Sequence, residues 1–172
     1  LSIPGAVGTT VDAIPSVTPY LWGSREKDQY WRAILGSPKG IRIGLVWAGG
    51  AIFRNDRNRS LSLQQISQIL SLPFEFHVLQ KELRDSDREA LSGYKNAIFH
   101  GDGISDFSDT AALISGMDLV CTVDTSVAHL AGAMGKPVWI MLPFAPDFRW
   151  LLGRSDSPWY PSARLFRQSE VM

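Results

Sequence analysis

Three polar residues in a row, Asp124, Thr125 and Ser126, follow an apolar run and precede a helical pattern of apolar residues. Residues of these types begin helices, because their side-chain oxygens accept hydrogen bonds from first-turn N–H groups. A helix start also carries unpaired N–H groups and the positive end of the helix dipole, and both attract anions. The turn therefore predicts either a binding site for a diphosphate or a helix cap alone.

His129 lies four positions after Thr125 and three after Ser126, so the three side chains share one face of the predicted helix. This placement predicts a hydrogen-bond donor to a ligand or a proton carrier. The simpler interpretation is a partly buried histidine with a partner in the fold. A hydrolase that uses Ser126 and His129 is disfavoured, because no G-x-S-x-G turn surrounds the serine and one helix aligns the pair poorly.

A second candidate for anion binding is the loop that begins at Gly49 and Gly50. Glycines let the backbone approach a ligand closely, and the guanidinium groups of Arg54, Arg57 and Arg59 match phosphate in geometry. The alternative is a solvated basic loop. If the strand order brings this loop beside the Asp124 turn, the two segments form one concave anion site.

Two weaker candidates, Gln80 and Asp102, follow later predicted strands and would contact a base or a ribose. Asp102 is otherwise a turn residue. The three histidines are far apart in sequence, and no Cys/His spacing fits zinc, so we expect no metal site and no cofactor.

Strand-like and helix-like patterns alternate along the chain. Apolar runs predict strands at 41–47, 74–79, 97–99, 119–123, 138–142 and 164–167. Helices are predicted at 27–35 and 62–71. Another begins at the Asp106–Asp109 capping box, and one runs from Ser126 to a stop at Gly135 and Pro137. Residues 82–93 are predicted as helix or loop. Such alternation is typical of an α/β fold with a doubly wound, mostly parallel sheet and helices on both faces.

Composition excludes several classes of protein. The chain has 172 residues with 17 basic and 17 acidic side chains, which does not favour a nucleic-acid or anionic-membrane partner. No apolar run approaches the length of a membrane span, and we find no signal peptide. The single cysteine, Cys121, falls in a predicted buried strand, so no disulfide forms within the chain, as is usual in the cytoplasm.

The domain organisation predicted is a connector with a short helix over 1–38 and a ligand-binding domain over 39–172. The first residues are rich in proline, glycine and threonine, which favours an extended connector. The chain begins without methionine, and we expect it to be part of a larger protein.

The segment Val123–Val138 resembles the donor-site motif of glycosyltransferase family 9, the heptosyltransferase-like enzymes. The similarity extends to Ile43–Gly49, to Arg59 and Ser60, and through most of 142–168. These last blocks are most like bacterial proteins in which tetratricopeptide repeats precede such a domain.

The resemblance implies the two-domain GT-B fold, with this chain as the C-terminal half that binds a nucleotide-diphosphate sugar. The acceptor site and the catalytic base would belong to an N-terminal half, and transfer would need no metal. By position, Asp124, Thr125, Ser126 and His129 would contact the donor, while Arg59 and Arg54 would neutralise its phosphates. Heptosyltransferases often carry a lysine where these arginines stand. The alternative is a non-catalytic scaffold that binds proteins through the aromatic segment 144–160.

Overall fold

The computed structural model describes residues 3–50 and 56–170. The strands are β1 Arg42–Val46, β2 Glu75–Val78, β3 Ala97–Phe99, β4 Leu119–Val123, β5 Val138–Leu142 and β6 Ala163–Arg167. The helices are α1 Ile3–Ala6, α2 Arg25–Leu35, α3 Asp56–Arg59, α4 Leu63–Leu70, α5 Asp85–Leu91, α6 Phe107–Ser115 and α7 Ser126–Ala133. Short 3₁₀ turns lie at Val11–Ala13, Gly101–Gly103 and Phe148–Trp150.

The described strands form one sheet in the order β3-β2-β1-β4-β5-β6, and every neighbouring pair is parallel. This is the doubly wound order, so the predicted α/β fold class is confirmed. The order reverses between β1 and β4, and their carboxyl ends open into the crevice where ligands of such sheets bind. The loop that begins at Gly49 and Gly50 (the glycine loop) follows β1, and the Asp124 turn follows β4. Both segments therefore start at this crevice.

Helices cover both faces of the sheet through two separate clusters of buried side chains. One cluster joins α2, α6 and α7 to the sheet and includes Trp31, Leu113 and Ala128. The other joins α4 and α5 to it and includes Leu63 and Leu91. Parallel strands need apolar cover on both faces, which explains the unbroken burial of β1.

Capping residues fix the helix ends close to where the sequence predicts them. The Asp106–Asp109 capping box is confirmed at the start of α6. At the end of α7, Gly135 has φ 68°, and Lys136 N donates to Ala131 O over 3.0 Å. That bond belongs to the Schellman motif, in which glycine takes the left-handed position.

Residues before β1 pack on the body of the molecule. Helix α2 contacts α6, and its Trp31 is buried in the core. Tyr20 N donates to Ala133 O over 2.9 Å at the end of α7. The division into a connector and a domain at 38/39 stays a prediction. Within the described ranges, no helix has the length and apolar character that crossing a bilayer requires.

Candidate functional site: the crevice between strands β1 and β4

A hydrogen bond joins the glycine loop to the Asp124 turn. Arg59 Nη1 donates to the backbone carbonyl of Asp124 over 2.7 Å. The bond spans 65 residues of sequence and ties the segment after β1 to the segment after β4. The structure therefore brings these two predicted halves of an anion site together on one rim of the sheet. Arg54 lies outside the described residues.

Asp56 holds Arg59 in this position. Its buried carboxylate accepts from Arg59 Nε over 3.4 Å, from Ser60 Oγ over 2.8 Å and from Arg84 Nη2 over 3.2 Å. Ser60 Oγ in turn accepts from Gly49 N over 2.9 Å. The guanidinium group is thus fixed by the fold, which lowers the cost of ordering it around a ligand.

Thr125 occupies the N-cap position of α7, but its hydroxyl does not cap the helix. Thr125 Oγ1 lies 3.1 Å from Thr122 Oγ1 at the buried end of β4. The prediction that these side chains cap the helix is wrong for Thr125, because the buried Thr122 hydroxyl competes for it. The first-turn N–H groups of α7 are left without that cap. Ser126 is exposed beside them and Asp124 is half-buried.

His129 contacts two aromatic side chains of the segment after β5. Its Nδ1 lies 3.0 Å from Tyr160 Oη, and its ring stacks on Trp150 with centroids 5.0 Å apart and planes 14° apart. The interpretation of a half-buried histidine with a partner in the fold is therefore correct for Nδ1. Burial lowers the pKa of His129, and nearby Arg149 lowers it further, so the ring is neutral at pH 7.

A cleft of about 280 Å³ opens beside Arg59. Its walls are mainly apolar side chains from the ends of β4, β5 and β6, including Val123, Met141 and Phe166, with Arg59 and Arg167 among its polar lining. A cleft with apolar walls and guanidinium groups suits a ligand that has an apolar face and an anionic end.

A family model described as glycosyltransferase family 9 (heptosyltransferase) matches residues 101–141, which contain the Asp124 turn and His129. Two solved structures share the fold. E. coli ADP-heptose LPS heptosyltransferase II has a TM-score of 0.59 and 17% identity, over 88% of this chain and 46% of that one. A family 9 glycosyl transferase from Veillonella parvula has a TM-score of 0.63 and 14% identity, over 99% and 48%. The resemblance to glycosyltransferase family 9 is confirmed.

Protein FlbA of Caulobacter vibrioides is 28% identical over 165 residues, which are 91% of this chain and 27% of that protein. The chain thus spans about a quarter of this curated relative and less than half of each solved structure.

The two weaker candidates have different surroundings. Gln80 is buried, and its Oε1 accepts from Trp47 N over 2.6 Å and from Ala48 N over 3.0 Å. Its side chain holds the end of β1 instead of facing a ligand. Asp102 is exposed, and its Oδ1 lies 3.5 Å from Arg88 Nη2 at the rim of a surface depression of about 450 Å³.

Sequence reasoning missed Asp56 and Tyr160. Asp56 lies inside the basic loop, where a lone carboxylate among arginines was an available signal. Tyr160 lies 31 residues from His129, and no local spacing rule connects them. Among the residues that the structure describes, no group of three or more His, Cys, Asp or Glu side chains is placed to hold a metal ion.

Gly49→Ala is expected to weaken diphosphate binding about threefold to tenfold. A Cβ at position 49 would lie 2.5 Å from Asp56 Oδ1 and 2.9 Å from Arg59 Cζ, so the guanidinium group must move. The matched control is Gly50→Ala, because no described atom lies within 4 Å of its Cβ position. Pyrophosphate titration by calorimetry measures both; equal affinities in the two variants would contradict the role of the Arg59–Asp56 pair.

Proposed function

We infer that this chain is the donor-binding part of a glycosyltransferase, equivalent to the C-terminal half of a GT-B enzyme. It would hold the diphosphate of a nucleotide sugar between the glycine loop and the start of α7. The observation that supports this most is the 2.7 Å bond from Arg59 to the carbonyl of Asp124, which closes the two segments around one crevice.

The chemistry of sugar transfer explains what such a crevice contributes. The bond between the anomeric carbon and a phosphate oxygen breaks, and negative charge accumulates on the departing diphosphate. Donors that are fixed before the reaction stabilise this charge without reorganising. Arg59, held by Asp56, and the N–H groups at the start of α7 are such donors, and they would replace a metal ion in this role. The carboxylate of Asp124 repels phosphate and suits the hydroxyl groups of the sugar.

The rest of the reaction would need a second domain. We place the acceptor site and the catalytic base in an N-terminal half, preceded by tetratricopeptide repeats, and the enzyme in the cytoplasm. The buried, unpaired Cys121 supports a reducing compartment. The name of the E. coli structure makes an ADP-sugar the first donor to test. The chain on its own would bind nucleotide weakly and transfer little or no sugar.

Calorimetric titration with ADP, UDP and GDP in buffer containing EDTA tests the proposal. We expect one of these nucleotides to bind, and Arg59→Ala to weaken its affinity about tenfold or more, because a charge-assisted hydrogen bond contributes about 1.5–3 kcal/mol. Binding of the corresponding nucleoside should change little. Arg57→Ala is the matched control, because Arg57 is exposed in the same short helix.

Two results would count against this function. An equal loss of nucleoside and nucleotide affinity in Arg59→Ala would show that Arg59 does not bind the phosphates. If none of the three nucleotides binds to a folded sample, the non-catalytic scaffold is favoured instead. That second candidate is supported by Phe144, Phe148 and Leu152, which are 53%, 55% and 79% exposed on the segment after β5.

A further inference from the structure

The imidazole of His129 is held on two sides. Trp150, which is fully buried, stacks on its face, and Tyr160 Oη lies 3.0 Å from its Nδ1. A neutral imidazole carries one proton on one of two nitrogens, and the partner of one nitrogen decides which. The tautomer of His129 is therefore set by what the Tyr160 hydroxyl does at Nδ1.

Tyr160 reaches His129 because residue 132 has no side chain. A Cβ on Gly132 would lie 2.7 Å from Cδ1 and 2.8 Å from Cδ2 of the Tyr160 ring. The ring thus lies on the bare backbone of α7, three residues after His129. Any larger residue at 132 would push the ring away from the helix and its hydroxyl away from Nδ1.

Burial and the Tyr20 side chain, which also hydrogen-bonds with Tyr160, raise the pKa of Tyr160, so its hydroxyl keeps its proton. With that proton on the His129 side, Tyr20 is the donor in the second bond. The chemistry of phenol and imidazole then decides the direction of the bond between Tyr160 and His129. A phenol is much more acidic than the N–H of a neutral imidazole, and the unprotonated imidazole nitrogen accepts better than a phenol oxygen.

The charged side chains that act on His129 are Asp124 and Asp147, which favour its protonation, and Arg149, which opposes it. Burial outweighs the two carboxylates, so the ring stays neutral and Nδ1 remains free to accept.

We propose that Tyr160 donates its O–H to Nδ1 of His129 and so fixes the proton on Nε2. Helical side chains lean toward the amino end of their helix, which directs His129 to the start of α7. Among residues 3–50 and 56–170, Nε2 has no hydrogen-bond partner, so its N–H is available to an anion there. Tyr160 is then a positioning residue. Its effect on the ligand depends on the proposed function, whereas the tautomer does not.

The tautomer is tested by NMR of the chain with ¹⁵N-labelled histidine. We expect the Nε2-protonated form in the unmodified protein. Tyr160→Phe should raise the fraction of the Nδ1-protonated form, because the bond that holds the proton on Nε2 is lost. Gly132→Ala should shift it in the same direction, and Tyr94→Phe, far from α7, should not. A proton on Nδ1 in the unmodified protein, or unchanged tautomer fractions in Tyr160→Phe, overturns the proposal.

Titration with pyrophosphate tests whether the tautomer acts on the ligand. Tyr160→Phe should weaken binding about threefold to tenfold, and the same substitution should have no effect in a His129→Ala background. An equal effect in both backgrounds would mean that Tyr160 does not act through His129. If the unmodified protein does not bind pyrophosphate, the proposed function fails while the NMR result still decides the tautomer.

Discussion

Replacing Asp109 with alanine is expected to lower the free energy of unfolding by about 3–5 kcal/mol. The carboxylate is fully buried and accepts from Trp31 Nε1 over 2.9 Å and from Ser105 N over 2.9 Å. It also pairs with Lys27 Nζ at 2.8 Å. Alanine would leave these donors without their acceptor, and a buried donor without a partner costs about 1–3 kcal/mol. Urea denaturation monitored by tryptophan fluorescence measures the change.

The large effect expected at Asp109 follows from its ionised state. Burial by itself raises the pKa of Asp109, but the bonds from Lys27 and Trp31 overcome it and lower the pKa to about 2. Asp102→Ala removes the same charge from an exposed position and should change stability by less than about 0.5 kcal/mol. Equal stabilities of Asp102→Ala and Asp109→Ala would show that this carboxylate does not hold α2 against α6.

Local sequence rules predicted the six strands and the longer helices of this fold, whereas the four-residue helices α1 and α3 were expected as connector and loop. Runs of apolar residues gave the bounds of β3, β4 and β5 as the structure has them, because each strand is buried on both faces or flanked by clear turn residues. The capping box at Asp106 located the start of α6 in the same way. These signals depend on neighbours within a few positions, so a single sequence contains them.

Partners that lie far apart in sequence were not predictable in this way. Asp109 was expected as a capping residue or a ribose contact, yet it accepts from Trp31, which lies 78 positions away. Thr125 has the residue type of a helix cap, but its hydroxyl hydrogen-bonds with the buried hydroxyl of Thr122 in β4. In each case a polar group had several acceptable partners, and packing in three dimensions selected one of them.

The candidate site likewise has one part that the sequence predicts and one part that it does not. The chain positions of the two loops follow from the alternation of strands and helices, so their meeting at the crevice could be expected once β1 and β4 were neighbours. The atoms that fix the site could not, because Asp56, Gly132 and Tyr160 act through contacts that depend on side-chain volume and direction.

A second large effect is expected from acid. The free energy of unfolding should fall by about 3 kcal/mol as the pH drops from 6.5 to 4. His77 and His100 are 2% and 7% exposed, and His77 Nδ1 lies 2.9 Å from His100 Nε2. Burial lowers the pKa of His100 from 6.5 to about 4, helped by His77. Burial also lowers the pKa of His77, with Arg42 in support and Glu75 in opposition.

The sign follows from proton binding. Between pH 6.5 and 4 the unfolded chain takes up more protons on these histidines than the folded chain does, so acid favours unfolding. The contribution is fully present above pH 6.5 and is lost as the pH falls toward 4. Asp109, with its pKa of about 2, stays ionised in the folded protein over this range. The loss of stability between pH 6.5 and 4 therefore comes mainly from the histidines.

The double variant His77→Gln/His100→Gln separates this contribution from the background. Glutamine keeps a hydrogen-bonding side chain at each position but does not titrate, so the variant should lose less than half as much stability as the parent between pH 6.5 and 4. His129→Gln is the comparison variant. Burial lowers the pKa of His129 as well, but it lies outside the pair, so this substitution should reduce the acid loss by less than the double variant does. Urea denaturation at several pH values supplies the comparison. Parallel curves for the double variant and the parent would show that the buried pair is not the source of acid sensitivity, and the carboxylates of the unfolded chain would then account for it.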